Sequence, residues 1–174
     1  MQVTGNKVYF AKLDENAIIP NKKDEDAGYD IYACLDEDYI ELNRLETKLI
    51  PTAIAWACSS DYYLQIHERS GCGKNGMKYS GGVIDSSYRG EIKVAIFNAT
   101  GKILVYSNLE TEELFKKYPQ FADEKNYFIY PTTKAIAQGV IHRVHKMDIE
   151  EISYDELLSI DSDRKTGGFG SSNK

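Results

Sequence analysis

Residues 81–98, GGVIDSSYRGEIKVAIFN, hold one carboxylate and one aromatic ring at a spacing suited to chemistry. Asp85 lies between an apolar pair and a polar turn, and Tyr88 follows three residues later. A carboxylate that flanking strands hold in place can act as a general base. An aromatic ring beside it can select substrates by shape. The segment therefore predicts a hairpin with a reactive carboxylate near its bend.

Residues 68–76, ERSGCGKNG, combine cations, a hydroxyl and glycines directly after a predicted strand. Arg69 offers a planar fork to a phosphate, Ser70 adds a hydroxyl donor, and glycines allow a close backbone approach. The segment lacks the spacing of a P-loop and its Gly-Lys-Ser/Thr ending. It is interpreted either as a phosphate-binding loop or as a glycine-rich surface loop.

Residues 164–172, RKTGGFGSS, place two cations, three hydroxyls and one aromatic side chain among glycines. This composition suits a flexible flap that orders on a ligand, with Phe169 stacked on a flat ring. The alternative is an unstructured chain end.

Two further polar side chains lie singly within predicted strands. Asp30 in AGYDIYA (27–33) either caps a local group or lines a polar cleft, and Gln138 in IAQGV (136–140) is uninformative alone.

The elements that must position these residues are mainly strands. Alternating, β-branched or aromatic runs predict strands at 7–11, 48–57, 62–67, 91–98 and 136–145, separated by turn residues. Two short helices are predicted, one at 111–118 before Pro119 and one at 153–158, where Ser153 and Glu156 have capping-box spacing. The pattern is typical of an all-β sandwich or barrel.

Composition excludes several function classes. The net charge of −6 disfavours a nucleic-acid or anionic-membrane surface, and no apolar run of transmembrane length occurs. The N-terminal residues show no secretory signal pattern. The three cysteines fit neither a disulfide framework nor a metal knuckle, and the three histidines form no metal-ligand pattern. A cytoplasmic protein is expected, or one of the host cytoplasm if the source is viral.

Taken in order, five segments resemble the five motifs of the trimeric dUTPases. They are AGYDIYA (27–33), ERSGCGKNG (68–76), GGVIDSSYRGEI (81–92), AIAQG (135–139) and residues 164–172. Each motif alone is weak, but five in order over residues 27–172 make the resemblance specific.

The resemblance implies an all-β, jelly-roll-like or distorted β-barrel subunit of the β-clip type and a homotrimer with shared active sites. It implies hydrolysis of dUTP to dUMP and pyrophosphate with Mg²⁺, which keeps uracil out of DNA and supplies dUMP for dTMP synthesis. Asp85 is then the base that activates water for attack on the α-phosphorus. Tyr88 stacks beneath the deoxyribose and excludes a ribose 2′-hydroxyl.

The remaining site residues follow from the same resemblance. Asp30 supports a metal-bound water or the site geometry, while the triphosphate, with no direct protein ligand, mainly holds Mg²⁺. The backbone of the hairpin pairs with uracil, the cations and hydroxyls hold the phosphates, and Phe169 covers the base. The full substrate-binding set is Arg69, Ser70, Gly71, Gly82, Val83, Ile84, Tyr88, Gln138, Arg164, Gly168, Phe169, Ser171 and Ser172.

The chain departs from the family pattern at several positions. Glu68 stands where proline is usual, residues 133–135 read Thr-Lys-Ala instead of Gly-Asp-Arg, Gly139 replaces an apolar residue, and Asn173 replaces the final glycine of the fifth motif. An insert at about 109–130 extends the connection between the third and fourth motifs. The predicted organisation is one β domain at 1–163 and a flexible C-terminal arm at 164–174 that orders over the active site.

Two alternatives remain. A dCTP deaminase shares the fold, but it needs a glutamate on the strand after the third motif, and residues 93–97 (KVAIF) contain no acid. It also usually has phenylalanine in place of Tyr88. The second alternative adds a function, in which the insert binds a regulatory protein; the simpler interpretation of the insert is a flap over the barrel.

Overall fold

The computed structural model describes residues 3–167, which divide into two compact units. The first runs to Val144 and the second begins at His145. The first unit contains every strand of the described residues, and the second contains one helix. The predicted organisation into a domain at 1–163 and an arm at 164–174 stays a prediction.

Short strands make up most of the first unit. They are β1 (Val8–Lys12), β2 (Gly28–Ile31), β3 (Tyr39–Leu42), β4 (Thr47–Ile50), β5 (Ile54–Cys58), β6 (Tyr62–His67), β7 (Met77–Ser80), β8 (Val83–Ile84), β9 (Val94–Asn98), β10 (Ile103–Ser107), β11 (Tyr127–Pro131) and β12 (Ala137–Arg143). The helices are α1 (Ser70–Lys74), α2 (Thr111–Lys117) and α3 (Tyr154–Ser159), with a 3-10 turn at Pro119–Ala122. The predicted all-β, jelly-roll-like class is confirmed.

The strands form four small sheets. Their orders are β1-β5, β11-β10-β3, β2-β12-β6-β8 and β4-β9-β7. Pairing is antiparallel throughout, except that β11 lies parallel to β10. The third sheet carries the candidate site, because β2, β12, β6 and β8 are the strands that hold or adjoin the first four motif-like segments.

Strand β10 is buried on both faces. Leu104 and Tyr106 point into the main core, which also contains Trp56. Val105 points the other way and packs with Leu114 and Phe121 in a second cluster. Successive strand residues face opposite sides of a sheet, so β10 needs a second layer, and the insert supplies it.

The insert is a packed segment of the first unit. Helix α2 contributes the buried Leu114, the 3-10 turn contributes the buried Phe121, and β11 returns along β10. At its outer edge Asp38 accepts hydrogen bonds from Lys117 at 2.5 Å and from Tyr118 at 2.8 Å. These two hydrogen bonds hold the pKa of the Asp38 carboxyl below its ordinary value. The insert therefore packs against β10 through a small apolar cluster, and its interpretation as a flap stays a prediction.

One predicted strand, residues 48–57, is wrong as a single element. The structure divides it into β4 and β5 around Pro51, because proline has no N–H for a sheet ladder. Ala53 adopts a φ of 50° at the break. The backbone N–H groups of Thr52 and Ala53 donate to the Glu91 carboxylate at 3.1 and 2.9 Å.

The glycine-rich segment after β6 is more ordered than a surface loop. Residues Ser70–Lys74 form the helix α1, and its Cys72 is buried. Burial of one side chain in the core outweighs the low helix propensity of the two glycines in α1.

The second unit contains α3, as the sequence predicts. The Ser153 side chain accepts from the Glu156 N–H at 3.2 Å, and the Glu156 carboxylate accepts from the Ser153 N–H at 2.8 Å. This reciprocal capping box confirms the predicted helix start. None of the helices in residues 3–167 has the length and apolar character needed to cross a membrane.

Candidate active site

An open pocket of about 510 Å³ lies where β2, β12 and the start of α1 meet. Strand β12 runs between β2 and β6, and Gln138 pairs with Asp30 on one side and His67 on the other. Arg69 follows shortly after the end of β6, so the register of the sheet brings it close to the side chains of Asp30 and Gln138. The pocket is lined by Asp26, Ala27, Gly28, Asp30, Arg69, Ser70, Gly71, Cys72, Tyr130 and Gln138.

Arg69 and Asp30 form a fork-like ion pair in this pocket. Nε of Arg69 lies 3.0 Å from Oδ1 of Asp30, and Nη2 donates to Oδ2 at 3.4 Å. Nη1 donates to the backbone carbonyl of Ala135 at 3.3 Å. A guanidinium has five N–H donors, and these three contacts use three of them.

Gln138 is held close to the backbone of its neighbours. Its Nε2 donates to the carbonyl of Glu68 at 2.8 Å. A Cβ added at Gly28 would lie 2.7 Å from Oε1 of Gln138, so a larger residue there would displace the amide. Glu68, the unexpected acid beside Arg69, supplies its carbonyl here, and its side chain is not among those that line the pocket.

Two half-buried tyrosine hydroxyls and the buried thiol of Cys72 lie at or beside the wall of the pocket. Tyr130 donates to the carbonyl of Ala135 at 2.8 Å, and Cys72 Sγ lies 3.4 Å from the Tyr130 hydroxyl. Cys72 also donates to the carbonyl of Ile136 at 3.4 Å, and Tyr79 donates to the same carbonyl. These bonds fix the backbone just before β12 begins.

The reasoning from sequence did not assign five of the residues that line the pocket. Asp26, Ala27 and Gly28 adjoin or belong to the first motif-like segment, and Cys72 lies within the second, so proximity in sequence could have indicated them. Tyr130 belongs to the insert, and no local signal in the sequence marks it.

The predicted hairpin is wrong as a paired unit, because β8 pairs with β6 whereas β9 pairs with β4 and β7 in another sheet. Residues 82–91 nevertheless form a hairpin-like segment, called the hairpin below, that carries Asp85 on a well-defined turn. Gly82 approaches β6 closely: its carbonyl accepts from the Ile66 N–H at 2.7 Å, and an added Cβ would lie 2.7 Å from the Ile66 carbonyl oxygen. The N–H of Tyr88 donates to the Asp85 carbonyl at 3.1 Å, and the Tyr88 hydroxyl donates to the Glu91 carbonyl at 3.0 Å. Asp85 is exposed, and Tyr88 is 46% exposed.

The hairpin and the pocket lie far apart within one chain. Ile84 pairs with Leu64 on β6, so Asp85 falls beside Tyr63, whereas Arg69 follows the opposite end of that strand. Strands rise about 3.3 Å per residue, which puts the Asp85 and Arg69 backbones about 20 Å apart. The structure therefore gathers Asp30, Arg69 and Gln138 but does not bring Asp85 to them.

The C-terminal candidates are only partly described. Arg164 lies in the second unit, where its Nε donates to the Gly167 carbonyl at 2.7 Å. Gly168, Phe169, Ser171 and Ser172 lie outside the described residues.

The described side chains do not provide a complete set of ligands for a metal ion. Among residues 3–167, no group of three or more His, Cys, Asp or Glu side chains is arranged to hold one. The carboxylates of Asp26 and Asp30 do line the pocket. Such a set fits Mg²⁺ that keeps most of its oxygen ligands from a polyphosphate and water.

The fold and the pocket define an all-β protein with an arginine in an open polar pocket. A model of the dUTPase family matches residues 14–109. The chain belongs to the dUTPase family.

Relatives of full length support this membership. A deoxyuridine 5'-triphosphate nucleotidohydrolase of Nautilia profundicola is 37% identical over 97% of this chain and 99% of its own length. Its counterpart in Wolinella succinogenes is 33% identical over 97% and 95%.

Solved structures support the fold. The Staphylococcus bacteriophage 80alpha dUTPase with dUPNHPP superposes with a TM-score of 0.73 at 23% identity, covering 96% of this chain and 98% of that one. The dUTPase of phage phi11 of S. aureus, whose structure visualises a species-specific insert, gives a TM-score of 0.64 at 23% identity, over 84% and 96%.

Proposed function

We propose that this protein hydrolyses dUTP to dUMP and pyrophosphate, which keeps uracil out of DNA and supplies dUMP for dTMP synthesis. The observation that carries the proposal is the pocket in which Arg69, Asp30 and Gln138 meet, in a chain of the dUTPase family. The relatives named as deoxyuridine 5'-triphosphate nucleotidohydrolases support it.

Asp85 is the proposed general base. Its carboxylate takes a proton from a water molecule, whose oxygen bonds to the α-phosphorus as the bond to the bridging oxygen breaks and pyrophosphate leaves. The Tyr88 N–H and hydroxyl donate to the backbone carbonyls of Asp85 and Glu91 and so hold the turn that carries Asp85, and the exposure of Asp85 leaves it accessible to water. Such bases accelerate reactions by about 100-fold to 10,000-fold.

The hairpin also supplies the proposed selectivity for deoxyuridine. Within residues 3–167, strand β8 is the edge of its sheet and pairs only with β6, so its second side offers unpaired backbone groups. Around Gly82, Val83 and Ile84 these donors and acceptors match the edge of uracil and reject cytosine, whose amino group would meet a donor. The ring of Tyr88 stacks beneath the deoxyribose and leaves no room for a 2′-hydroxyl.

The separation of the two half-sites supports a homotrimer with shared active sites. A general base about 20 Å from the phosphate-binding arginine of its own chain cannot serve the same substrate. A hairpin from one subunit and a pocket from another would bring Asp85 and Arg69 to the same substrate.

The C-terminal arm is proposed to complete the site. Arg164, with Ser171 and Ser172, holds phosphates, Gly168 allows close approach, and Phe169 covers the uracil. Truncation after Asp163 is expected to leave the trimer intact and to abolish most turnover; unchanged turnover in the truncated trimer would exclude the arm.

Mg²⁺ is the proposed cofactor. When bound with the triphosphate it neutralises charge on the phosphates. Asp30 lines the pocket and holds Arg69, so the chain's contribution is to orient the guanidinium beside the phosphates.

A dCTP deaminase is the alternative within the same fold. The nearest acid to strand β9 is Glu91, whose carboxylate accepts the N–H groups of Thr52 and Ala53 and pairs with Lys93 at 3.3 Å. The Glu91 carboxylate therefore already holds the backbone between β4 and β5 and is not free to act on a substrate, which favours hydrolysis over deamination.

The decisive assay compares dUTP, dTTP, dCTP and UTP side by side for pyrophosphate and ammonia release. Pyrophosphate from dUTP alone is expected. Ammonia from dCTP without pyrophosphate would overturn the proposal in favour of deamination.

A regulatory partner that docks on the insert (109–130) is a second proposed function. Structures of phage dUTPases described as controlling the transfer of virulence genes resemble this fold, and α2 exposes Glu112 and Glu113 in its first turn. The double variant Glu112→Lys/Glu113→Lys is expected to weaken a partner complex and to leave dUTP hydrolysis unchanged. A complex of unchanged affinity would exclude this face of α2.

The free thiols of Cys34, Cys58 and Cys72 support the proposed cytoplasmic setting.

A further inference from the structure

We propose that Tyr130, which the insert carries, positions Arg69 for phosphate binding by holding the carbonyl of Ala135. The inference rests on the proposed function, in which Arg69 binds the triphosphate. Tyr130 lies outside the five motif-like segments, yet it lines the same pocket as Arg69. It is a positioning residue, because its hydroxyl acts on a protein carbonyl and not on the substrate.

Tyr130 and Arg69 converge on one acceptor. The Ala135 carbonyl accepts from the Tyr130 hydroxyl at 2.8 Å and from Arg69 Nη1 at 3.3 Å. Asp30 holds the other edge of the guanidinium, with Nε 3.0 Å from its Oδ1. The Asp30 carboxylate and the Ala135 carbonyl therefore set the plane of the Arg69 guanidinium. Of the two hydrogen bonds that the Ala135 carbonyl accepts, the one from Tyr130 is the shorter.

The Ala135 carbonyl belongs to a peptide unit just before β12 that is held on both of its sides. Strand β11 ends at Pro131 and β12 begins at Ala137, so Ala135 belongs to the connection between them. Its neighbour Ile136 is anchored through its N–H to the Ile31 carbonyl at 2.8 Å. The Ala135 carbonyl and the Ile136 N–H belong to one planar peptide unit, so the Tyr130 hydroxyl holds the carbonyl side of a plane whose N–H side is held by the Ile31 carbonyl.

The ring of Tyr130 is itself held firmly. Tyr130 pairs with Tyr106 in the parallel register of β10 and β11, and the two ring centroids lie 5.6 Å apart in an edge-to-face arrangement. Tyr106 is fully buried. Strand β11 of the insert thus pairs with β10 and also places the Tyr130 hydroxyl at the pocket.

The hydroxyl stays protonated and able to donate at physiological pH. Burial raises the pKa of Tyr130, a hydrogen bond with Cys72 raises it further, and the Arg69 guanidinium lowers it only in part. Burial likewise raises the pKa of Tyr79, which donates to the adjacent Ile136 carbonyl. Both carbonyls therefore keep their donors across the working range of the enzyme.

The test uses Tyr130→Phe, which removes the hydroxyl and keeps the ring. The matched control is Tyr127→Phe on the same strand, whose ring packs against Phe121 at 5.1 Å and does not line the pocket. Both substitutions are made in the wild-type chain and in an Arg69→Gln background. The measurements are KM and kcat for dUTP and the inhibition constants of inorganic triphosphate and deoxyuridine.

Loss of one hydrogen bond of this kind is expected to raise KM for dUTP by about threefold to tenfold. Tyr130→Phe should raise the inhibition constant of triphosphate by a similar factor and leave that of deoxyuridine unchanged. In the Arg69→Gln background it should change neither, because residues that act as one unit are not additive. Tyr127→Phe should match its parent throughout.

Three results would overturn the inference: an unchanged KM in Tyr130→Phe, an equal effect with and without Arg69, or an equal effect of Tyr127→Phe. The inhibition constants do not depend on how much of a sample is folded, so a partly unfolded variant still gives an answer. Failure of the proposed function is distinct, because the wild-type chain would then release no pyrophosphate from dUTP.

Discussion

Two impaired variants of this protein should restore activity to each other. Arg69→Ala removes the cation of the pocket, and Asp85→Asn removes the base of the hairpin. The register of β6 puts these residues about 20 Å apart in one chain, so the proposed shared site draws them from two subunits. A mixed trimer can then contain sites in which both residues are intact.

The size of the recovery follows from this geometry. In trimers assembled at random from equal amounts, half of the pockets carry Arg69 and half of the hairpins carry Asp85. If each site combines a pocket and a hairpin from different chains, about one quarter of the sites are complete. If each site lay within one chain, every site would lack one of the two residues.

The assay is pyrophosphate release from dUTP after the two variants are unfolded together and refolded together. Wild-type protein treated in the same way defines full activity, and each variant refolded alone defines the background. Mixing the folded variants without unfolding controls for subunit exchange. Activity of the co-refolded mixture no higher than the background, with wild type fully recovered, would refute the shared site.

Three further predictions concern single side chains. Asp85→Asn should lower turnover by about 100-fold to 10,000-fold while dUTP binding, measured by calorimetry, is retained; near-normal turnover would remove Asp85 from the base role. Phe121→Ala should lower the free energy of unfolding by about 3–5 kcal/mol in denaturant titrations, because Phe121 is 1% exposed; Ile149→Ala, at a side chain 98% exposed, is the control and should change it by less than about 0.5 kcal/mol. The Asp38 carboxyl, whose pKa is lowered by Lys117 and Tyr118, stabilises the fold above about pH 4 and loses that contribution as the pH falls through its lowered pKa. Asp38→Asn should therefore flatten the dependence of Tm on pH at the acid end, and an unaltered dependence would contradict this assignment.

The sequence predicted those parts of the fold that depend on local pattern. Strand β6 was predicted at 62–67 and occurs at Tyr62–His67, because its aromatic and aliphatic run has one dominant periodicity. Helix α3 was predicted from its capping box. The meeting of Asp30, Arg69 and Gln138 followed only from the family resemblance, since no local pattern fixes which strands become neighbours.

The parts that the sequence did not predict depend on contacts between distant residues. The alternation in 48–57 concealed the break at Pro51, where the acceptor for the freed N–H groups is Glu91, some forty residues away. Helix α1 depends on burial of Cys72 and not on helix propensity. Tyr130 reaches the pocket because β11 pairs with β10 after a helical crossover, and that register is set by packing in three dimensions.

The parallel pairing of β11 with β10 also bears on solubility. Strand β10 is rich in apolar side chains, and without β11 its backbone donors and acceptors would form an open edge next to Leu104, Val105 and Tyr106. Exposed apolar edges of this kind recruit strands from other molecules. The insert therefore protects the protein from edge-to-edge aggregation. A variant that lacks it is expected to precipitate before its catalysis can be judged, whereas point substitutions on the outer face of α2 avoid that outcome.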